Sequence, residues 1–387
     1  MGGKRPRLRI IKTISQKEGG SYVKRNRIWS ALLAVSLMAV LTAPIRAQAQ
    51  EAEVISYENL KELLKVGNVS LKASYDSYYD NVKAYEEMRD TLKWQQLNLE
   101  GKADDLEDSD AAVSSVYASN AASLKMSSSQ LTKQIKTMKE EKSTKSLEKS
   151  ADAMTMTAQT LMNSYNQMLC NIEAREKSVE AQRASCSAVI IKNGIGSATE
   201  AEVLSARKSL SSAENSLNSL KENAAQLREQ LLSLLGISDS DAVVIGAIPE
   251  PDLTAIDSID FAADQQKAVN NSSSVQNERH AKAKGTAEKN QKSKKVETAE
   301  SEAAVSIEAA YQTLLQKRTE YQAALEAFES ASISYESLQK KQSAGMLSNT
   351  EYLQGEAAYL EKKAAKEIAG MALYQAYETY RWEVYGV

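Results

Sequence analysis

Phenylalanine, tryptophan and proline are scarce in this chain: 2 Phe, 3 Trp and 4 Pro among 387 residues. Ala, Ser, Glu, Lys and Leu take up much of the rest, which is the composition of long helices and coiled coils rather than of a compact globule. There is a single histidine, His280, flanked by Arg279 and Lys282 and read as solvent-facing. With no Cys/His cluster, no metal site is expected. No glycine-rich loop follows a strand and no nucleophile-elbow pattern occurs, so neither a nucleotide cofactor nor an enzyme is expected. The net charge of −3 gives no electrostatic case for nucleic acid. Cys170 and Cys186 are the only cysteines. On one helix their spacing puts them roughly 24 Å apart, too far to bridge.

One long uncharged run is present, from Ile28 to Ile45, after Lys24, Arg25 and Arg27 and before Ala47-Gln48-Ala49. A basic segment, an apolar segment and an Ala-x-Ala site make a secretory signal over residues 1–49. The expected product is exported to the cell envelope. No later run is apolar enough to span a bilayer as a helix. Asn68-Val69-Ser70 and Asn270-Asn271-Ser272 fit the glycosylation sequon, a weak signal by itself.

The rest of the chain is dominated by helical spacing. Val203, Ala206, Leu210, Ala213, Leu217, Leu220, Ala224, Leu227, Leu231 and Leu234 alternate three- and four-residue steps without a break. Gly236 stops this helix. A similar seam leads up to Lys192 through Met154, Ala158, Leu161 and Tyr165, with Cys186 on it and Cys170 off it. Another runs through Ile307, Tyr311, Leu314 and Tyr321, and a last one from Leu353 to Met371. Residues 237–256, with Pro249-Glu250-Pro251, read as a linker. A short helix from Tyr57 precedes a break at Gly67-Asn68, and a short helix from Phe261 precedes a similar break at Asn270-Asn271. A longer helix from the first break loses its clear pattern at Gly101. Residues 102–150 are acidic, then Ser/Ala-rich, then Lys/Glu-rich, with no strand alternation.

Two turns match each other. The first is Asn193-Gly194-Ile195-Gly196-Ser197-Ala198-Thr199-Glu200, and the second is Ala344-Gly345-Met346-Leu347-Ser348-Asn349-Thr350-Glu351. Gly345 follows Gly194 by 151 positions, and Gly386 follows Gly236 by 150. The chain is therefore expected to be all-α, built of long antiparallel coiled-coil hairpins in two tandem structural repeats. The repeats are 50–236, with a tip at 193–199, and 257–387, with a tip at 344–350. Glycine permits the left-handed residue that ends a helix, and Thr199 with Glu202 fits a capping box. At the second tip, either Thr350 or Ser348 with Glu351 can cap. The arms before the tips differ: Asn68 to Gly194 is 126 positions, and Asn271 to Gly345 is 74.

The order of short helix, break, long helix, Gly-apolar-x-x-x-Thr-acid tip and long helix, all repeated, resembles the TolC family of outer-membrane efflux and secretion channels. The resemblance implies a homotrimer whose long helices form a hollow tube. It implies partners in a membrane-fusion adaptor and an inner-membrane transporter of ABC or RND type, and location in the outer membrane and periplasm. Adaptor contact would fall on the tip residues Gly194, Ile195, Gly196, Ser197 and Thr199, and Gly345, Met346, Leu347, Ser348 and Thr350. The family places two acidic residues one turn apart at the aperture. Glu351 matches the first, and Gln354 stands at the second. Family members also insert β-hairpins that close a membrane barrel from strands of ~9–11 residues. Neither 102–150 nor 271–300 reads as such a hairpin, so a relative without a clear membrane β-barrel is expected. The alternative reading is a structural coiled-coil spacer or interaction protein of the envelope without channel activity.

Overall fold

The computed structural model describes residues 53–238 and 243–387, with the backbone alone at 53 and 141–143. The expected signal segment, 1–49, lies outside the described residues. Helix dominates, as the composition requires. A short strand β1 (Glu53–Ile55) and a turn of 3₁₀ helix lead into α1 (Leu60–Gly67). Then come α2 (Val69–Leu106), α3 (Ala111–Lys139), α4 (Glu141–Gly194) and α5 (Glu200–Leu235). The second half comprises β2 (Val243–Ile245), α6 (Leu253–Asp257), α7 (Phe261–Asn271), α8 (Ser273–His280), α9 (Thr286–Ser343) and α10 (Asn349–Tyr385).

The long helices α4 and α5 pack as one antiparallel hairpin and α9 and α10 as another, with α4 against α10. The four form a single layer in the order α5–α4–α10–α9. At 54 residues α4 is about 80 Å long. Pairs across α4 and α10 run antiparallel, from Gln159–Trp382 through Asn163–Met371 to Lys177–Glu356. Both tips therefore lie at one end of the layer.

Two apolar clusters sit at the other end, one per repeat. In the first, Leu60 and Leu64 of α1 meet Ala158 and Met162 of α4 and Leu231 and Leu235 of α5. In the second, Ile256 and Ala268 meet Ile307 and Leu314 of α9 and Leu373 and Tyr380 of α10. Leucines this fully enclosed contribute about 1.5–3 kcal/mol each. The seam leucines nearer the tips, Leu210 and Leu217, are only half-buried within one chain.

The junction between the repeats is polar. Thr155, Gln159 and Asn163 recur every fourth residue on the α4 face turned to α10, and all three are buried. Asn163 donates to the Met371 carbonyl at 2.9 Å and accepts from Gln167 at 2.8 Å. Trp382 donates to Gln159 at 3.0 Å, and Lys363 pairs with Glu173 at 3.1 Å. Thr155 donates to the Ala151 carbonyl at 2.7 Å, so all three buried side chains have a hydrogen-bond partner.

Each repeat closes on itself by the same contact. Gly236 and Gly386 end α5 and α10 in the left-handed region, at φ 72° and 74°. A Cβ on Gly236 would stand 1.9 Å from the Gly67 carbonyl oxygen, and one on Gly386 would stand 2.3 Å from that of Asn271. The break asparagines complete the contact. Asn68 Nδ2 donates to the Leu234 carbonyl at 2.8 Å, and Asn271 Nδ2 to that of Val384 at 2.9 Å.

Two expectations need correction. Gly101 does not end a helix; α2 continues to Leu106, because a lone glycine costs a long helix only ~1 kcal/mol. The span 237–256 is not a bare linker. Val243–Ile245 pairs in parallel with Glu53–Ile55, and α6 begins at Leu253. This two-stranded ribbon is the only sheet among the described residues. The span 102–150, which shows no strand alternation in the sequence, is mostly helix: α2 and α3 make a third antiparallel hairpin, and the second repeat has only the eight-residue α8 in its place. The segments 102–150 and 271–300, where barrel strands were sought, are thus mostly helix. Cys186 is buried and Cys170 half-buried, and both are free thiols, as the spacing predicts.

Candidate functional site

The two tips are built alike at the level of single hydrogen bonds. At the first, Gly196 takes the left-handed conformation at φ 77°. Its N–H donates to Asn193 O at 2.9 Å, and Ser197 N–H reaches back to Lys192 O at 2.7 Å. At the second, Gly345 stands at φ 69°, with its N–H on Gln342 O at 3.0 Å and Met346 N–H on Lys341 O at 2.9 Å. Both are Schellman closures, which satisfy the carbonyls orphaned at a helix end. The next helix opens at once with a capping box. Thr199 N–H donates to Glu202 Oε2 at 2.6 Å, and Glu202 N–H to Thr199 Oγ1 at 3.3 Å. Ser348 N–H donates to Glu351 Oε2 at 2.9 Å, and Glu351 N–H to Ser348 Oγ at 3.2 Å.

These bonds correct the register of the repeat. The equivalent glycines are Gly196 and Gly345, not Gly194 and Gly345. Gly194 is the last residue of α4. Thr199 corresponds to Ser348 and Glu202 to Glu351, each 149 positions apart. Thr350 is no cap; it lies inside α10. Glu351 is the capping carboxylate of its tip. Its pKa is lowered first by the backbone N–H of Ser348 and then by the Ser348 hydroxyl. Glu202 is lowered in the same way by Thr199. Gln354 stands one turn into α10, exposed like Glu351.

The apolar tip residues divide. Ile195 is 74% exposed and Met346 75%, whereas Leu347 is half-buried. Nearby, Ile191 and Leu204 are also exposed, at 68% and 63%. Neither was singled out in the sequence; the adjacent pair Ile190-Ile191, which one narrow seam cannot cover, is the signal that could have found them. The first tip is therefore the more apolar of the two.

On one face of the layer, α5 and α9 flank a groove of about 790 Å³. Its floor includes Ala174 of α4 with Ala364, Ala365 and Ala369 of α10. Arg175, Lys317, Glu320 and Glu361 also line it. Among the described residues no cluster of His, Cys, Asp and Glu could hold a metal ion, and no helix is long and apolar enough to cross a membrane.

The fold and tips define a class: tandem helical hairpins with duplicated, capped turns at one end. No protein-family model and no curated protein matches the sequence. Among solved structures, the chain is similar to the outer membrane protein VceC of Vibrio cholerae, at 9% identity, with 85% of this chain and 96% of that one covered and a TM-score of 0.46. It is similar to CusC at 13% identity, with 87% and 97% covered and a TM-score of 0.46. It is similar to the CmeC outer membrane channel of Campylobacter jejuni at 14% identity, with 90% and 93% covered and a TM-score of 0.39.

Proposed function

We propose that this protein is a helical conduit component of an envelope export system, assembled from several copies and docked to a membrane-fusion adaptor through its tips. One observation carries the reading: the long helices form a single layer with two open edges. α5 packs on α4 and α9 packs on α10, and among the described residues neither has another long helix beyond it. Yet α5 carries an unbroken heptad of which only Val203, Ala224 and Leu231 are buried. A layer of this kind completes its packing when the α5 edge of one copy meets the α9 edge of the next, and repetition closes a tube. A homotrimer is the closed form we favour, with an inner-membrane ABC or RND transporter feeding the tube. No step of chemistry is required of the chain itself.

Docking follows from placement. Both tips lie at the same end, so a tube presents one ring of them. Exposed Ile195 and Met346 are the apolar contacts such a ring offers. Glu351 and Gln354 of each copy would face the opening. The experiment is capture of a co-expressed adaptor by the full chain and by Ile195→Ser/Met346→Ser/Leu347→Ser. The expected result is lost capture with unchanged helicity. Capture that persists at the parent level would favour the spacer reading.

A further inference from the structure

The α2–α3 hairpin has no equivalent in the second repeat, and it projects from the end opposite the tips. Its contacts with the layer fall at its base, where the Tyr75 hydroxyl donates to Glu148 Oε1 of α4 at 2.9 Å. Beyond the base, α2 and α3 pack on each other. Full burial there is confined to Val82, Ala103, Ala121, Ser128 and Ile135, with Tyr85, Leu92, Leu99, Leu124 and Leu131 half-buried along the seam. Two large apolar residues face outward, with Trp94 67% and Leu97 64% exposed. Exposed apolar side chains of this size, close together on a hairpin that stands off the layer, mark a contact surface.

The outward faces of the two helices are complementary. α2 carries an exposed stripe at three- and four-residue spacing through Tyr79, Lys83, Glu87, Asp90, Trp94, Leu97 and Gly101. α3 carries one through Ser115, Ala118, Ala122, Lys125, Ser129 and Lys133. The hairpin register sets their levels. Tyr78 meets Met138, and Ser114 donates to the Ala103 carbonyl at 2.8 Å, so partner numbers sum to 216 or 217. Trp94 is thus level with Ala122, Leu97 with Ser119, and Asp90 with Met126, beside Lys125. Large residues on one helix face small ones on the other at the same height. Charge agrees. α2 has eight carboxylates against five cationic side chains, whereas α3 has four lysines and no carboxylate. Only Lys139 of these lysines has an ion-pair partner, Glu86, among the described residues. Lys83, level with Lys133, is the one like-charge pairing of the two stripes.

We propose that the α2 outer stripe of one copy packs on the α3 outer stripe of the next. Trp94 and Leu97 seat over Ala122 and Ala118, and Lys125 faces Asp90. The α2 and α3 surfaces differ, so the contact is head-to-tail, and it repeats around the ring that the closed tube already sets. The result is a helical collar at the end of the tube remote from the tips. The inference rests on the several-copy assembly proposed above and adds an interface to it.

The test mixes two full-length chains, each carrying Cys170→Ser and Cys186→Ser: one with Trp94→Cys, the other with Ala122→Cys. Only a contact between copies can join them. Helices packed side by side bring such residues within disulfide reach. The expected result is a mixed disulfide dimer on mild oxidation. Trp94→Cys mixed with Lys133→Cys, roughly 16 Å lower on the same stripe, should give at least tenfold less. Light scattering on the same samples reports assembly. An assembled protein without the 94–122 bridge overturns the collar and leaves the tube standing. Equal bridging at 122 and 133 also overturns the collar, because the register would be absent. A chain that stays monomeric overturns both.

Discussion

Replacing Asn68 tests how each repeat closes, because this one amide makes two bonds. Its Oδ1 accepts the Leu71 N–H at 2.9 Å and caps α2. Its Nδ2 donates to the Leu234 carbonyl at 2.8 Å, in the last turn of α5. A lost N-cap costs about 1 kcal/mol, and a lost half-buried hydrogen bond about 1 kcal/mol. Asn68→Ala should therefore cost about 2 kcal/mol. Asn68→Asp keeps the acceptor that caps α2 but sets a carboxylate against the Leu234 oxygen, so it should still cost about 1 kcal/mol. Asn271 donates to the Val384 carbonyl at 2.9 Å but caps no helix, so Asn271→Ala should cost about 1 kcal/mol. Urea unfolding followed by circular dichroism measures all three. With an m-value of about 3 kcal/mol/M for a chain this long, the Asn68→Ala midpoint falls by about 0.7 M. If Asn68→Asp unfolds at the parent midpoint, the amide acts only as a cap, and the bond to Leu234 does not close the repeat.

The tips give two more predictions. Gly196→Ala should destabilise by about 1 kcal/mol, because φ 77° is strained for any side chain, whereas Gly194→Ala, on the last turn of α4, should be neutral or slightly stabilising; thermal melts of the two variants check the order. The capping carboxylates of Glu202 and Glu351 have lowered pKa values, so the stability they lend is complete above the ordinary carboxylate pKa and is lost as pH falls through the folded-state values. Amide hydrogen exchange at residues 199–203 and 348–352, corrected for intrinsic rate, should accelerate below about pH 4, and Glu202→Gln should remove that pH dependence at the first tip.

What the sequence made legible follows from periodicity and from glycine. The α5 heptad, its stop at Gly236 and the duplicated tips were all readable, because helical spacing and a left-handed terminus leave marks in residue type. The register of the tips was not. Gly194 and Gly196 are both followed by residues a turn can use, and only backbone geometry tells which one carries positive φ. The same ambiguity let Thr350 stand beside Ser348 as a cap. The polar junction of α4 and α10 was missed because a seam traced through apolar residues passes over Gln159 and Asn163. The β1–β2 ribbon was missed because three-residue strands, paired over a gap of nearly 190 positions, carry no local alternation. The α2–α3 hairpin was hidden by Gly101 and by its own composition, since Ala103, Ala121 and Ser128 interrupt the apolar seam while Trp94 and Leu97 stand outside it.

The central claim is that copies of this chain close edge to edge into a tube. Electron cryo-microscopy of the purified full-length protein tests it most directly. The account predicts a hollow cylinder of long helices, with α5 of each copy against α9 of the next and all tips at one end. A monomer, or an assembly that buries the α5 and α9 edges around a filled core, would contradict it.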